Sequence, residues 1–350
     1  MLFKKPALQP PASAPGQTPA ASAPAAGVGG GSGVALASAA LFFIAAAAGL
    51  LAARGNPYDG APVVRVRITG AHSKPDKGGA PKPAVAAAPA ASALPPAPIA
   101  GLTAPGPGGL LPIIAADGRA SWKAYARPFI DDGRPKIALV IGGLGLDPQA
   151  AEAAIAQLPP EVTLSFSPYA EGLQGLIDKA RAAGHEVMVE VPMEPLDYPD
   201  TDPGPYTLVS SASPEEIGHR LDWLMSRATG YFAVINTQGA RFLGQTRAVT
   251  LFTQALRQRG VAFIDDGQAA SRGDGLHRAS ASLRIDADLD GAAIDNQLLL
   301  LEAQSLQTGG AIGLGSAYPL TLTQVQRWAA AVRDRGYALA PASAIMTLRP

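Results

Sequence analysis

Two kinds of hydrophobic pattern divide the chain. Residues 34–53, from Val34 to Ala53, form an uninterrupted, uncharged apolar run. About 20 such residues suffice to span a bilayer as a helix. Apolarity all round leaves no polar face for water, so a retained transmembrane anchor is expected rather than a core helix or a cleaved signal peptide. Residues 63–68 (VVRVRI) alternate apolar side chains with arginine, as a short strand does. From residue 136 onward, short β-branched runs alternate with longer amphipathic stretches. The runs at 136–141, 162–166, 186–191, 231–235, 262–265, 311–314 and 337–340 predict strands, and 282–285 is a weaker candidate. A helix is predicted from Asp147, an N-cap followed by Pro148, and another over 173–183. Further helices are predicted from the capping box Ser213–Glu216 to about Arg227, over 247–259, from the cap Asp290 to Gln307, and over 321–335. Strands alternating with helices imply parallel pairing through crossovers, and roughly seven or eight units suit an α/β barrel better than an open sheet.

Composition sorts the remainder. Residues 1–33 and 72–109 are rich in Pro, Ala, Gly and Ser, with little to bury; they predict a disordered cytoplasmic tail and an extended linker. About half of the 33 prolines lie in the first third of the chain, which sets the boundary of the folded domain near 110–128. The organisation expected is a tail at 1–33, an anchor at 34–53, a linker at 54–127 and a barrel domain at 128–350. Trp122, Tyr125 and Phe129 are too apolar for a linker and should drape over that domain. Lys4 and Lys5 precede the apolar run and Arg54 follows it, which tilts the N-terminus toward the cytoplasm. For a bacterial chain this means a single pass through the inner membrane with the C-terminal domain in the periplasm. Lys and Arg total 28, as do Asp and Glu, and no basic block appears, so a nucleic-acid partner is excluded. The absence of cysteine removes disulfides, thiolate metal sites and cysteine nucleophiles.

The candidate chemistry centres on residues 184–205, GHEVMVEVPMEPLDYPDTDPGP. Val187, Val189 and Val191 alternate with Met188 and Glu190 as a buried strand, and Pro192, lacking an N–H, is expected to end it. A long loop dense in Pro, Asp and Gly follows. In a parallel barrel the reactive groups stand where strands end. Those positions hold Gly142 and Gly143, then Ser167 and Tyr169, then Glu190 and Glu194. Next come Asn236, Thr237, Gln238 and Arg241, then Asp265 and Asp266, Asp286 and Asp288, and finally Ser316 and Tyr318. No histidine is among them. Glu194 reads either as a general acid or as a pin for its loop. Asp265 with Asp266 reads either as a carboxylate pair of split pKa or as a turn acid. Arg241 can grip a substrate carboxylate or hydroxyl, or tie Glu194 or Asp265; Asn236, Ser316 and Tyr318 suit sugar hydroxyls.

The ordered set PKIALVIGGLG, GHEVMVEVPMEP with DPGP, INTQGARF, VAFIDD and GSAYP resembles the divergent polysaccharide deacetylase family, a branch of the polysaccharide deacetylase superfamily. The resemblance runs from about Pro135 to the C-terminus. It implies a distorted (β/α)7-type barrel and an ancestral, divalent-metal-dependent hydrolysis of acyl groups on glycans. The metal-site residues depart from the family pattern. Gly142 and Gly143 stand where the family has Asp-Asp, Glu190 where a histidine precedes Pro-Met-Glu-Pro, and Thr237 and Ser316 at the other histidines; the acid at Asp265 is kept. The expectation is therefore a membrane-anchored, deacetylase-like protein of cell-envelope carbohydrate metabolism with degenerate or absent metal-dependent activity. The alternative is an inactive glycan-binding or protein-docking scaffold. Any surviving catalysis would rest on Asp265, Glu190 and Glu194, with substrate held by Asn236, Arg241, Ser316 and Tyr318. No metal ligand set is assigned, and no cofactor is expected beyond a divalent cation held weakly by Glu190 with Asp265. The partners expected are envelope glycan or peptidoglycan, the membrane through 34–53, and an envelope protein.

Overall fold

Buried β-branched runs become the strands of one large sheet in the computed structural model, which describes residues 93–267 and 275–349. The chain divides into units Met1–Lys82 and Pro83–Pro350, and every described residue belongs to the second. A small antiparallel hairpin comes first, β1 (Thr103–Gly106) and β2 (Gly109–Pro112). The sheet itself comprises β3 (Lys136–Leu144), β4 (Thr163–Phe166), β5 (Val187–Met193), β6 (Ala233–Gln238), β7 (Ala262–Asp265), β8 (Leu276–Ser280), β9 (Leu283–Arg284), β10 (Gly310–Ser316), β11 (Ala338–Leu339) and β12 (Thr347–Arg349). Its order is β12-β8-β7-β6-β5-β4-β3-β10-β9, with β11 added on β3; all pairings are parallel except β12 with β8.

Helices α1 (Ser121–Ala124), α2 (Pro148–Gln157), α3 (Leu173–Ala182), α4 (Pro214–Met225), α5 (Ala240–Gly244), α6 (Thr246–Arg259), α7 (Gly291–Thr308) and α8 (Pro319–Val332) complete the domain. Their starts follow local chemistry. Asp147 accepts from the N–H groups of Gln149 and Ala150, Ser213 from that of Glu216, and Asp290 from those of Ala292 and Ala293.

Period-two alternation assigns each strand residue to one of two cores. On β3, Ile137, Leu139 and Ile141 pack under the helices, whereas Ala138 and Val140 join the cluster inside the curl of the sheet. Leu102, Ala115, Tyr125 and Ala342 belong to that inner cluster. The buried Glu186 carboxyl fastens the same end, accepting from the Arg127 N–H, the Thr163 hydroxyl and both the N–H and hydroxyl of Ser343. Leu94 is already buried and its N–H donates to the Arg181 carbonyl, so packed structure begins well before residue 128.

Three expectations are corrected here. The sheet curls without closing: β9 and β12 are its edges, and the predicted (β/α)7-type barrel is instead a curled, open half-barrel. The reason is a broken strand between β7 and β10. β8 ladders onto β7 over three residue pairs, the chain steps across at Ala281–Ser282, and β9 ladders onto β10 over only two.

The second correction concerns the membrane. Among the described residues no helix is long and apolar enough to cross one. The longest, α7, has 18 residues but carries Asp295 and the buried Glu302. The single-pass inner-membrane topology, the periplasmic placement and the membrane as a partner are withdrawn accordingly. The run at 34–53 on which they rested lies outside the described residues, as do the tail at 1–33 and the strand expected at 63–68.

Third, Pro192 does not end its strand; β5 continues through it to Met193, opposite Gln238 of β6. β4 stops pairing at Val189, so the side of β5 from which Pro192 offers no N–H is already vacant of β4. The Pro192 carbonyl there accepts from the Leu208 N–H at 2.9 Å.

Candidate functional site

The C-terminal ends of β3, β4, β5, β6, β9 and β10 converge on a cavity of about 240 Å³. Its apolar floor is Val140, Ile235 and Leu314; its polar groups are Ser165, Glu190, Asn236, Thr237, Gln238, Asp266, Arg284 and Ser316. Strand parity puts Glu190 there. Val187, Val189 and Val191 face the helices, so Met188 and Glu190 face inward, with Glu190 the nearer to the mouth.

A β-bulge on the facing strand meets it. Ile141 pairs with Leu164 and Leu144 with Phe166, so β3 carries one residue more than β4 across Gly142–Gly143. Gly143 lies at φ 73°, in the left-handed region that glycine tolerates without strain. The bulge turns its N–H onto Glu190 Oε1 at 2.6 Å; Ser165 Oγ donates to the same oxygen at 3.2 Å, and Thr237 Oγ1 to Oε2 at 3.3 Å. A Cβ at Gly142 would lie 3.0 Å from Oε1. The carboxyl of Glu190 thus occupies the room into which a side chain at position 142 would project. Burial pushes this carboxyl above its ordinary range, and the three hydrogen bonds with the charge of Arg284 offset part of that rise.

Asn236 organises the adjoining wall. Its Nδ2 donates to the Gln238 carbonyl at 2.5 Å and its Oδ1 accepts from the Asp266 N–H at 3.1 Å. Gln238 is held at φ 60°, an uncommon conformation for a side-chain-bearing residue, immediately before the turn into α5. On the opposite side of the sheet order, the Ser316 N–H donates to Asp286 Oδ2 at 2.6 Å and Ser316 Oγ accepts from Arg284 Nη1 at 3.3 Å.

Of the strand-end residues singled out from sequence, the pocket brings together Gly142, Gly143, Glu190, Asn236, Thr237, Gln238, Asp266 and Ser316. Asp265, Glu194, Arg241 and Tyr318 lie off its lining. Asp265 is fully buried and accepts from Arg278 Nη2 at 3.0 Å, Ser280 Oγ at 2.8 Å and the Gly267 N–H at 2.9 Å. Glu194 accepts from the N–H and hydroxyl of Ser210 at 2.7 and 2.5 Å, and its carbonyl accepts from the N–H groups of Arg241 and Phe242. Arg241 stands 3.7 Å from the Glu194 carboxylate and also donates to the Leu196 carbonyl, so the pair ties the long loop to α5. Tyr318 is exposed at the N-terminus of α8.

Two polar lining residues, Ser165 and Arg284, are not among the strand-end positions expected from sequence. Ser165 was legible from alternation, since Leu164 and Phe166 face the helices. Arg284 sits on a two-residue strand that carries no such signal.

The divalent metal implied by the family resemblance does not fit this donor set. The lining carries two carboxyl groups, Glu190 and Asp266, and the oxygens of Glu190 already accept three hydrogen bonds. The guanidinium of Arg284 shares the same cavity, and among the described residues no group of three or more His, Asp or Glu converges as a metal ligand set. Asp265, the other acid expected to contribute, is directed to Arg278 instead.

Comparison with known proteins gives a consistent lineage. The family model described as divergent polysaccharide deacetylase matches residues 139–346. Uncharacterized protein YibQ of Escherichia coli (strain K12) is 22% identical over 199 residues, 55% of this chain and 61% of that protein. The match thus spans less than two thirds of the E. coli protein's length. An uncharacterized protein of Haemophilus influenzae is 21% identical over 199 residues, covering 55% of this chain and 70% of that one. The crystal structure of an uncharacterized protein from Agrobacterium tumefaciens C58 superposes with a TM-score of 0.66 at 34% identity, covering 68% of this chain and 99% of that one.

Proposed function

Because this chain belongs to the divergent polysaccharide deacetylase family, we propose that it is a deacetylase-like protein of carbohydrate metabolism whose pocket takes a glycan without a resident divalent cation. The observation that carries this reading is Glu190: its carboxyl fills the room beside Gly142 and is bonded to the backbone of Gly143, where the family pattern has acids. A sugar presents hydroxyl and acylamino groups. Glu190, Thr237 and Ser316 supply side-chain partners for these around an apolar floor, as small-ligand pockets do. Asn236 fixes the backbone of Gln238 and Asp266 at the rim. Asp265, Glu194 and Arg241 act as positioning residues, holding the strand ends and the long loop.

A second reading, metal-independent acyl hydrolysis, is favoured by one feature. The Glu190 carboxyl holds its proton to higher pH than an ordinary glutamate does, which suits a group that takes a proton from attacking water and returns it to the departing amine or hydroxyl. The test uses the full chain with N-acetylglucosamine tetramer, measuring binding by calorimetry and acetate release with added zinc or EDTA. The binding reading expects affinity indifferent to EDTA, no acetate release, and about tenfold weaker binding in Glu190→Ala. Zinc-stimulated acetate release would overturn it. Acetate release that ignores EDTA and disappears in Glu190→Gln would establish the second reading in its place.

A further inference from the structure

Resting on the glycan-pocket reading above, we infer that the bound sugar carries a carboxylate and that Arg284 recognises it. Arg284 projects from β9 onto the pocket lining with its side chain about half exposed, at 51%. Both of its contacts run through Nη1, at 3.4 Å to Asp286 Oδ1 and 3.3 Å to Ser316 Oγ. The edge formed by Nε and Nη2 makes none among the described residues.

Asp286 cannot turn to grip that edge. Its carboxyl is 1% exposed, and its Oδ2 accepts from the Ser316 N–H at 2.6 Å and from Thr321 Oγ1 at 3.2 Å. Other arginines of the domain use their forks fully. Arg259 holds Asp222 through both Nε and Nη2, and Arg335 holds Glu302 in the same way. Arg284 therefore presents a planar pair of N–H donors at the mouth of a polar cavity, the geometry that matches a carboxylate in bidentate fashion.

The other charges narrow the ligand. Asp266 and Glu190 share the lining, so a multiply charged phosphate or sulfate would meet two carboxyl groups. A sugar with a single carboxylate places one charge on Arg284 and leaves its hydroxyls to Thr237, Ser316 and Glu190. The rise of the Glu190 pKa lessens the repulsion further. A uronic acid residue within a glycan is the class that fits.

Calorimetry on the full chain decides the matter with galacturonate tetramer, N-acetylglucosamine tetramer and inorganic phosphate as probes. The uronate tetramer is expected to bind at least about tenfold more tightly than the neutral one, with the preference falling as NaCl rises. Arg284→Gln should abolish that preference, and Arg284→Lys should restore only part of it. Thermal melts of both variants establish that they fold. Equal affinity for the two tetramers, unmoved by Arg284→Gln, overturns this inference and leaves the glycan pocket standing. Arg284-dependent binding of phosphate in preference to uronate overturns the carboxylate assignment. Binding of neither tetramer overturns the inference together with the reading beneath it.

Discussion

At Glu190, three hydrogen bonds favour the carboxylate and burial favours the acid; burial is the larger influence, and the pKa rises from its ordinary 4.5. The native state then holds a proton that the unfolded chain has released. Stability from this group is complete below 4.5 and is lost as pH climbs through the raised native value. Glu190→Gln, which cannot ionise, should therefore gain stability over the parent at pH 8 and lose that advantage near pH 4; urea denaturation at both values checks it. Asp265 is held by different partners. It forms a buried pair with Arg278, side chains 0% and 1% exposed, so Asp265→Ala removes a carboxylate that balances a guanidinium in the core. A loss of about 3–5 kcal/mol is expected in the same denaturation measurement. In the sequence these two acids looked alike, both at strand ends. Only their partners, Gly143 from 47 positions away and Arg278 from 13, separate a pocket group from a core pair.

Elements were legible where their signals are local. Asp147, Ser213 and Asp290 cap helices as their sequence contexts predict, because a cap needs only the two or three residues that follow it. Asp290→Ala removes the acceptor for two N–H groups at the start of α7 and should cost about 1 kcal/mol, read as a lower urea midpoint with an unchanged slope. Strand ends were less legible. Pro192 stops a ladder only where its missing N–H faces a neighbour, and whether β4 reaches that far is set elsewhere in the chain. The strand expected at 282–285 is present only as the two residues of β9, and the longer β8 at Leu276–Ser280 precedes it across a break at Ala281–Ser282. Arg284 owes its place at the pocket to that break. The bulge at Gly142–Gly143 likewise needs two strands to define it.

For the molecule as a whole, the curl of the open sheet gathers six strand ends around one cavity, while Leu102, Ala115, Tyr125 and Ala342 fill the inside of the curl as part of its core. A resident metal would link folding to its concentration: a cation at a hundredfold excess over its Kd adds about 2.7 kcal/mol. The donor set of this pocket predicts no such linkage, so melting in EDTA and in zinc should give the same Tm; a rise with zinc would contradict the assignment of Glu190 to Gly143, Ser165 and Thr237. The sequence by itself determined the alternation that makes an α/β sheet, the caps that start its helices, the family lineage and the loss of acids and imidazoles at the ancestral metal positions. Each of these depends on residue identity or on neighbours a few positions apart. Only the tertiary structure decided that the sheet stays open, that Asp265 is consumed by Arg278, and that Glu190 and Arg284 share one cavity with Asn236 and Ser316. Those outcomes join residues tens of positions apart, and they turn on which strand ends first, something no local pattern of polar and apolar residues encodes.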